Sequence, residues 1–203
     1  YEIRLSLVGS EMCIRDSNPL GEDTSIMRTT TLPSMLEILT RNYNFRNKEV
    51  KLYELGRTYH LGGKDGLAIE KKYLTLGTYG AKVNFFTVKG LVEAIMKDLR
   101  AEDVRFEACT DNPSYHPGRC ATVWAGDECI GVFGQIHPLV AANYGVDTEL
   151  YCAELSLEKL LGALDQHDGD DVGHRVVGTG LQLKDRLEVL LQLHLCVPQD
   201  VEH

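Results

Sequence analysis

Residues 119–136, RCATVWAGDECIGVFGQI, decide the fold class. Arg119–Trp124 and Cys129–Ile136 are short runs rich in Val, Ile, Thr and aromatic residues, the composition that suits a pleated, half-buried surface. Gly126-Asp127 supplies the turn between them, so the stretch reads as a β-hairpin and the chain as one that builds antiparallel sheet. On its N-terminal side, Tyr115-His116-Pro117-Gly118-Arg119 reads as a basic turn feeding the first strand. On its C-terminal side, His137-Pro138 opens a short helix to Tyr144 that ends at Gly145.

Working outward, Val104–Ala108 reads as a further strand. Leu150–Leu155 is another, and Ser156 caps a helix over Leu157–Leu164. Upstream, Phe86–Leu99 places Val88, Leu91, Val92, Ile95, Met96 and Leu99 on one helical face, with Lys89, Glu93 and Lys97 at intervals of four on the other. Tyr73–Tyr79 and the alternating run from Val50 to about His60 read as strands. Leu32, Met35, Leu36 and Leu39 mark a helix over Pro33–Asn44, with Pro33 in the first turn, where its missing N–H is tolerated. Gly62–Gly66 is a turn or exposed loop, and Asp23 or Thr24 could cap a short turn after Asn18-Pro19. Strands outnumber helices and follow one another through short turns. The expected class is therefore α+β, an antiparallel sheet flanked by helices.

The bulk composition excludes several function classes. The 203 residues are 43% hydrophobic and 25% charged, enough apolar material for a core. No apolar run reaches membrane-spanning length and no signal peptide is visible, so the chain is read as cytoplasmic. The six cysteines form no Cys-x-x-Cys pair, which favours reduced, mostly buried thiols over a zinc ribbon or a disulfide framework. The net charge of −9 divides into −1 for residues 1–17, −3 for residues 18–164 and −5 for residues 165–203. The middle carries no basic stripe of the kind that binds nucleic acid by counterion release, and DNA is not expected as a partner.

Six residues stand out as structural or interface candidates: Arg28, Glu54, Arg57, His116, Arg119 and His137. The Arg28 fork suits a carboxylate or phosphate, but a salt bridge or a contact at a helix start is the preferred reading. Glu54 and Arg57 flank Gly56 and could line a ligand site, or form a solvated pair on a sheet edge, which is favoured. His116, Arg119 and His137 could gather on a phosphate or metal. The segment offers no further ligand at suitable spacing beyond Asp111, so a strand-capping turn and a helix-starting histidine are preferred. Gly62-Gly63-Lys64-Asp65-Gly66 lacks the spacing of a phosphate loop, and neither Gly-x-Ser-x-Gly nor His-Glu-x-x-His occurs. From the residues alone, the chain is an α+β domain with no catalytic, cofactor or metal residue assigned.

A series of segments carries a resemblance. Asn18-Pro19-Leu20-Gly21-Glu22-Asp23, Met27-Arg28-Thr29-Thr30, Leu32-Pro33-Ser34-Met35-Leu36, Leu52-Tyr53-Glu54-Leu55-Gly56-Arg57 and Val88-Lys89-Gly90-Leu91-Val92-Glu93-Ala94 open it. His116-Pro117-Gly118-Arg119, Ile130-Gly131 with Gly134-Gln135-Ile136-His137-Pro138, and Glu154-Leu155 complete it. In this order they resemble the β subunits of bacterial phenylalanyl-tRNA synthetases over roughly residues 18–164. The resemblance implies a class II aminoacyl-tRNA synthetase-like sheet that has lost catalysis. It also implies an α subunit that carries the adenylate chemistry, an (αβ)₂ assembly, tRNA as a further partner, and ATP and Mg²⁺ for the whole enzyme but none bound by this fragment. The alternative is a stand-alone RNA- or protein-binding module, or an active class II-like ligase with ATP near Arg28 and Arg57. Residues 1–17 are expected to be a non-native leader. Residues 165–203 are expected to be an atypical tail, in place of the linker and ferredoxin-like anticodon-binding domain that the resemblance implies. Within the tail, Leu181–Leu195 has helical spacing.

Overall fold

The structure, a computed structural model, describes residues 14, 25–62, 67–101 and 103–165. The expectations for the 1–17 leader (Ile14 apart), the Asp23 or Thr24 cap, residues 63–66 of the glycine-rich loop, and the tail beyond Asp165 lie outside the described residues. Ten elements follow in chain order: α1 (Leu32–Asn44), β1 (Val50–His60), β2 (Ile69–Tyr79), α2 (Phe85–Asp98), β3 (Val104–Ala108), β4 (Tyr115–Ala125), β5 (Glu128–Ile136), α3 (Pro138–Asn143), β6 (Tyr151–Ser156) and α4 (Leu157–Asp165).

The six strands form one antiparallel sheet in the order β1-β2-β6-β5-β4-β3. Hairpin β1–β2 and the β3-β4-β5 meander are local pairings. β6, last in sequence, enters between them and makes the two halves one sheet. Because side chains alternate along a strand, the inner strands contribute to both faces, and the central stretches of β2, β5 and β6 bury both. On one face Leu74, Leu76, Phe133, Ala153 and Leu155 meet Val88, Val92, Ile95 and Met96 of α2 and Leu157 and Leu160 of α4. On the other, Val50, Tyr79, Tyr115, Cys120, Ile136 and Cys152 meet Leu32, Met35, Leu36 and Leu39 of α1 and Ala141 of α3. The helical face read from the spacing of Leu32, Met35, Leu36 and Leu39 is the face that α1 buries.

The elements form for local reasons. Asn84 caps α2 by accepting from the Thr87 N–H at 3.0 Å while the Thr87 hydroxyl accepts from the Asn84 N–H, a reciprocal capping box. Lys89 and Glu93 pair at 3.1 Å on its outer face. The β4–β5 turn uses Gly126 at φ +55°, a left-handed conformation that glycine adopts without penalty. The Ser156 hydroxyl accepts from the Lys159 N–H at 3.5 Å, at the start of α4.

Two boundaries need correction. β2 begins at Ile69 rather than Tyr73, because its first residues pair with β1 through Arg57↔Lys72 and Tyr59↔Glu70. That end is largely exposed and its three charged residues run consecutively, so it shows no apolar alternation to read. The segment Tyr115–Arg119 is not a turn preceding β4 but an irregularity within it. Tyr115 pairs with Ile136 and Cys120 with Gly134, so residues 116–119 bulge out between two paired positions.

Glycines 131 and 134 lie where the β5 backbone is crowded. A Cβ on Gly131 would stand 2.0 Å from the Glu154 carbonyl oxygen, and one on Gly134 would stand 2.4 Å from the Arg119 carbonyl oxygen. The obstructing atoms are backbone and cannot step aside. Gly90, in the middle of α2, has nothing within 4 Å of a built Cβ. Thermal unfolding should therefore separate them. Gly134→Ala is expected to lower stability by about 2–3 kcal/mol through overpacking. Gly90→Ala should raise it by about 0.5–1 kcal/mol, since alanine is the better helix former and loses less backbone freedom.

Candidate functional site

The polar residues of interest gather where the start of α1 meets the sheet. Thr31 is the N-cap of α1, yet its own side chain makes no capping bond. The cap comes from Glu154, in the middle of β6. Its Oε1 accepts from the Thr31 N–H at 3.1 Å, the Leu32 N–H at 3.1 Å, the Thr30 hydroxyl at 2.6 Å and the Thr31 hydroxyl at 2.9 Å. The first N–H groups of a helix have no partner within it, and a carboxylate also meets the positive end of the helix dipole. Thr31 is fully buried and its hydroxyl also contacts that of Thr75 on β2, the strand beside β6.

Arg28 fastens the same segment to β1. Its Nε donates to the Arg57 carbonyl at 2.8 Å, Nη1 to the Ser34 hydroxyl at 3.2 Å, and Nη2 to Glu54 Oε1 at 2.5 Å. In return the Arg28 carbonyl accepts from the Tyr59 N–H at 2.9 Å. The guanidinium is thus engaged along all three nitrogens, with a salt bridge and a contact to the first turn of α1. Glu54 and Arg57 do not pair with each other, which corrects the expected solvated pair. Three residues apart on a strand, they point to opposite faces. Glu54 takes Arg28, and Arg57 takes Glu70 of β2 at 2.8 Å. β1 is an edge strand. A Cβ on Gly56 would fall 2.6 Å from Arg28 Nη2, so the glycine leaves room for the Arg28–Glu54 contact.

His116, Arg119 and His137 lie together at the bulge of β4, away from Arg28. The two imidazoles stack with ring centres 6.4 Å apart. Each Nδ1 accepts a backbone N–H, from Gly118 at 3.0 Å and from Leu139 at 3.2 Å. His137 is the N-cap of α3. These bonds place the proton of each neutral ring on Nε2, so the pair presents N–H donors rather than metal-binding lone pairs. Arg119 Nη1 donates to Gln135 Oε1 and to Glu149 Oε1, both at 2.8 Å, and the Tyr151 hydroxyl donates to Glu149 Oε2 at 2.7 Å. The Tyr151 hydrogen bond, followed by that of Arg119, holds the Glu149 carboxyl below its ordinary range. Burial and the Glu149 contact push the Tyr151 phenol up to about 12.

Among the described residues, no group of three or more His, Cys, Asp and Glu is placed to hold a metal ion. No helix among them is long and apolar enough to cross a membrane. Both clusters hold charged groups against one another or against the backbone, so what they can do is fix geometry. Residue-by-residue reasoning did not single out Glu154, Thr31, Thr75 or Glu149. The available signals were three threonines directly before a Pro33 helix start and one carboxylate inside the apolar run Leu150–Leu155.

The profile of the family described as the phenylalanyl tRNA synthetase beta chain CLM domain matches residues 9–157. The β subunit of phenylalanine–tRNA ligase from Clostridium acetobutylicum is 40% identical over 149 residues, 73% of this chain and 19% of that protein. The same subunit from Clostridium tetani is 39% identical, covering 72% of this chain and 19% of that protein. That from Geobacter metallireducens is 34% identical over 158 residues, covering 72% and 20%. The chain thus spans about a fifth of the length of the curated relatives it matches. Among solved structures, a pyrrolysyl-tRNA synthetase from Desulfitobacterium hafniense superposes with a TM-score of 0.61 at 12% identity, over 77% of this chain and 53% of that one. A second structure of that enzyme gives 0.60 at 11%, over 81% and 59%. At such identity the likeness concerns the fold, and it gives the sheet as that of a class II aminoacyl-tRNA synthetase.

The Glu154 junction sets an expectation for stability. Glu154→Ala strands the Thr31 N–H, leaves the Leu32 N–H only its longer bond to the Thr30 hydroxyl at 3.3 Å, and is expected to cost about 2–3 kcal/mol in chemical denaturation. Glu154→Gln keeps an accepting oxygen and should cost less. Glu149 gives a pH dependence. Its carboxyl is held low in the folded chain, so its stabilising contribution is fully present above the ordinary carboxylate value and is lost as pH falls through the depressed one. Glu149→Gln should therefore be less stable than the parent at neutral pH, and the difference should shrink as denaturation is measured at progressively more acidic pH.

Proposed function

The chain belongs to the phenylalanyl-tRNA synthetase β-chain family, and from that premise we propose that it is the class II-like core of a phenylalanine–tRNA ligase β subunit that supports the reaction without performing it. In this reading the whole enzyme joins phenylalanine to its tRNA at the expense of ATP. The α subunit binds phenylalanine and ATP and forms the adenylate. The core formed by residues 18–164 supplies a rigid sheet for an αβ assembly in the cytoplasm and for tRNA bound to that assembly.

One observation carries the non-catalytic part. A class II site stabilises the charge that develops on the ATP phosphates as the adenylyl group is transferred and pyrophosphate leaves, with cations aimed at them. Here the Arg28 fork is directed onto Glu54, Ser34 and the Arg57 carbonyl, and Arg57 onto Glu70. Glu154, the acidic residue at the centre of the sheet, holds the start of α1. Arg28, Arg57 and Glu154 are thus aimed at protein groups rather than at a magnesium–ATP complex. Arg28, Glu54, Arg57, His116, Arg119 and His137 are assigned to structure: the first three to the junction of α1 with the sheet, the last three to the β4 bulge and the α3 start.

Pyrophosphate exchange tests this reading. The chain alone is expected to give no phenylalanine-dependent incorporation of labelled pyrophosphate into ATP. When mixed with the α subunit of the Clostridium acetobutylicum enzyme it should co-elute with it in size-exclusion chromatography. Phenylalanine-dependent exchange by the isolated chain would overturn the assignment of the chemistry to the other subunit.

A further inference from the structure

Cys109 and Cys120 face each other across the β3–β4 ladder, and we propose that they form a reversible oxidation site that closes a disulfide on meeting a low-molecular-weight disulfide. The β3–β4 register runs to Ala108↔Ala121, and one step further the Cys109 N–H donates to the Cys120 carbonyl at 3.0 Å. Directly opposed residues of an antiparallel pair keep their Cα atoms about 4.5–5.5 Å apart. A disulfide takes about 4.4–6.8 Å. Both side chains lie on the α1 side of the sheet, in the cluster that holds Tyr115, Ile136 and Cys152, and both are free thiols.

The two thiols differ in a way that orders the steps. Cys109 follows the last residue of edge strand β3 and is half-buried. Cys120 is 5% exposed, and its backbone lies so close to β5 that a Cβ on Gly134 would stand 2.8 Å from its Cα. Burial, together with the neighbouring Cys109 thiol, pushes the Cys120 thiol up to about 12, which makes it a poor first nucleophile. Cys109 therefore attacks first. Its thiolate displaces one thiolate from the external disulfide and leaves a mixed disulfide on Cys109. Cys120 then loses its proton to solvent and attacks Cys109 Sγ, expelling the second external thiol. One external disulfide is reduced to two thiols and the cysteine pair is oxidised. The bond fastens the free end of β3 to β4 and closes a ring around His116-Pro117-Gly118-Arg119, and excess thiol reverses it.

The test treats the folded chain with oxidised glutathione, blocks remaining thiols, and maps peptides without reduction. Trypsin cuts after Arg105, Arg119 and Lys159, so Cys109 lies on peptide 106–119 and Cys120 on peptide 120–159 with Cys129 and Cys152. The expected product is the 106–119/120–159 cross-link. It should persist in Cys129→Ser, disappear in Cys109→Ser and on adding dithiothreitol, and be replaced in Cys120→Ser by glutathione retained on Cys109. The fragmentation spectrum of the parent cross-link locates the bonded sulfur even where a variant fails to fold. A bond to Cys129 or Cys152, a lasting glutathione adduct on Cys109 in the parent chain, or no reaction of Cys109 would each overturn the proposal.

Discussion

Glu154 Oε1 is the acceptor on which the start of α1 depends, and through it the segment from Arg28 to Leu32 is joined to the centre of the sheet. A helix usually takes its N-terminal cap from the residue just before it. Here the cap comes from the strand that completes the sheet, more than a hundred residues away. β6 bridges β2 and β5, so the carboxylate stands where the two halves of the sheet meet. Arg28 continues the junction to β1 through Glu54 and the Arg57 carbonyl. The α1 face of the sheet is thus organised by two ionised groups, each satisfied by several partners. Both groups are half-buried, and partial removal from water makes such satisfaction count.

That organisation bears on what the face can do. A guanidinium that donates along three nitrogens and a carboxylate oxygen that accepts from four groups are positioned by the fold. Redirecting either to a ligand would uncap α1 or release β1. Electrostatic catalysis needs charges oriented toward the place where charge develops in the substrate. In this chain the corresponding charges are oriented toward the protein itself. A fold does not by itself determine chemistry, which depends on where particular side chains point.

Much of the architecture was legible because it is local. The hairpin at Gly126-Asp127, the apolar faces of α1 and α2, and the His137-Pro138 helix start are each set by residues within a turn or two. β6 was readable as a strand but not as the strand between β2 and β5, since neither its composition nor its neighbours specify long-range partners. The exposed start of β2 carried no alternation, and the β4 bulge looked like a turn because its residues are turn formers. The candidate site was legible in its members rather than in its pairings. Arg28, Glu54 and Arg57 are all in contact with charged partners, but strand alternation sends Glu54 and Arg57 to opposite faces. Glu154 could be noticed only as a carboxylate in an apolar strand, and its role appears only once β6 is beside α1.

Native-state hydrogen exchange at the Thr31 and Leu32 amides measures this junction most directly. First-turn amides of a helix have no intrahelical acceptor and ordinarily exchange through small local openings. If Glu154 holds the start of α1 to the sheet, both amides should be protected to about the same degree as the core amides of β6, and Glu154→Ala should strip that protection from them while leaving the amides of α2 unchanged. Rapid exchange of Thr31 and Leu32 in the parent chain, at the rate of a frayed helix end, would contradict the account.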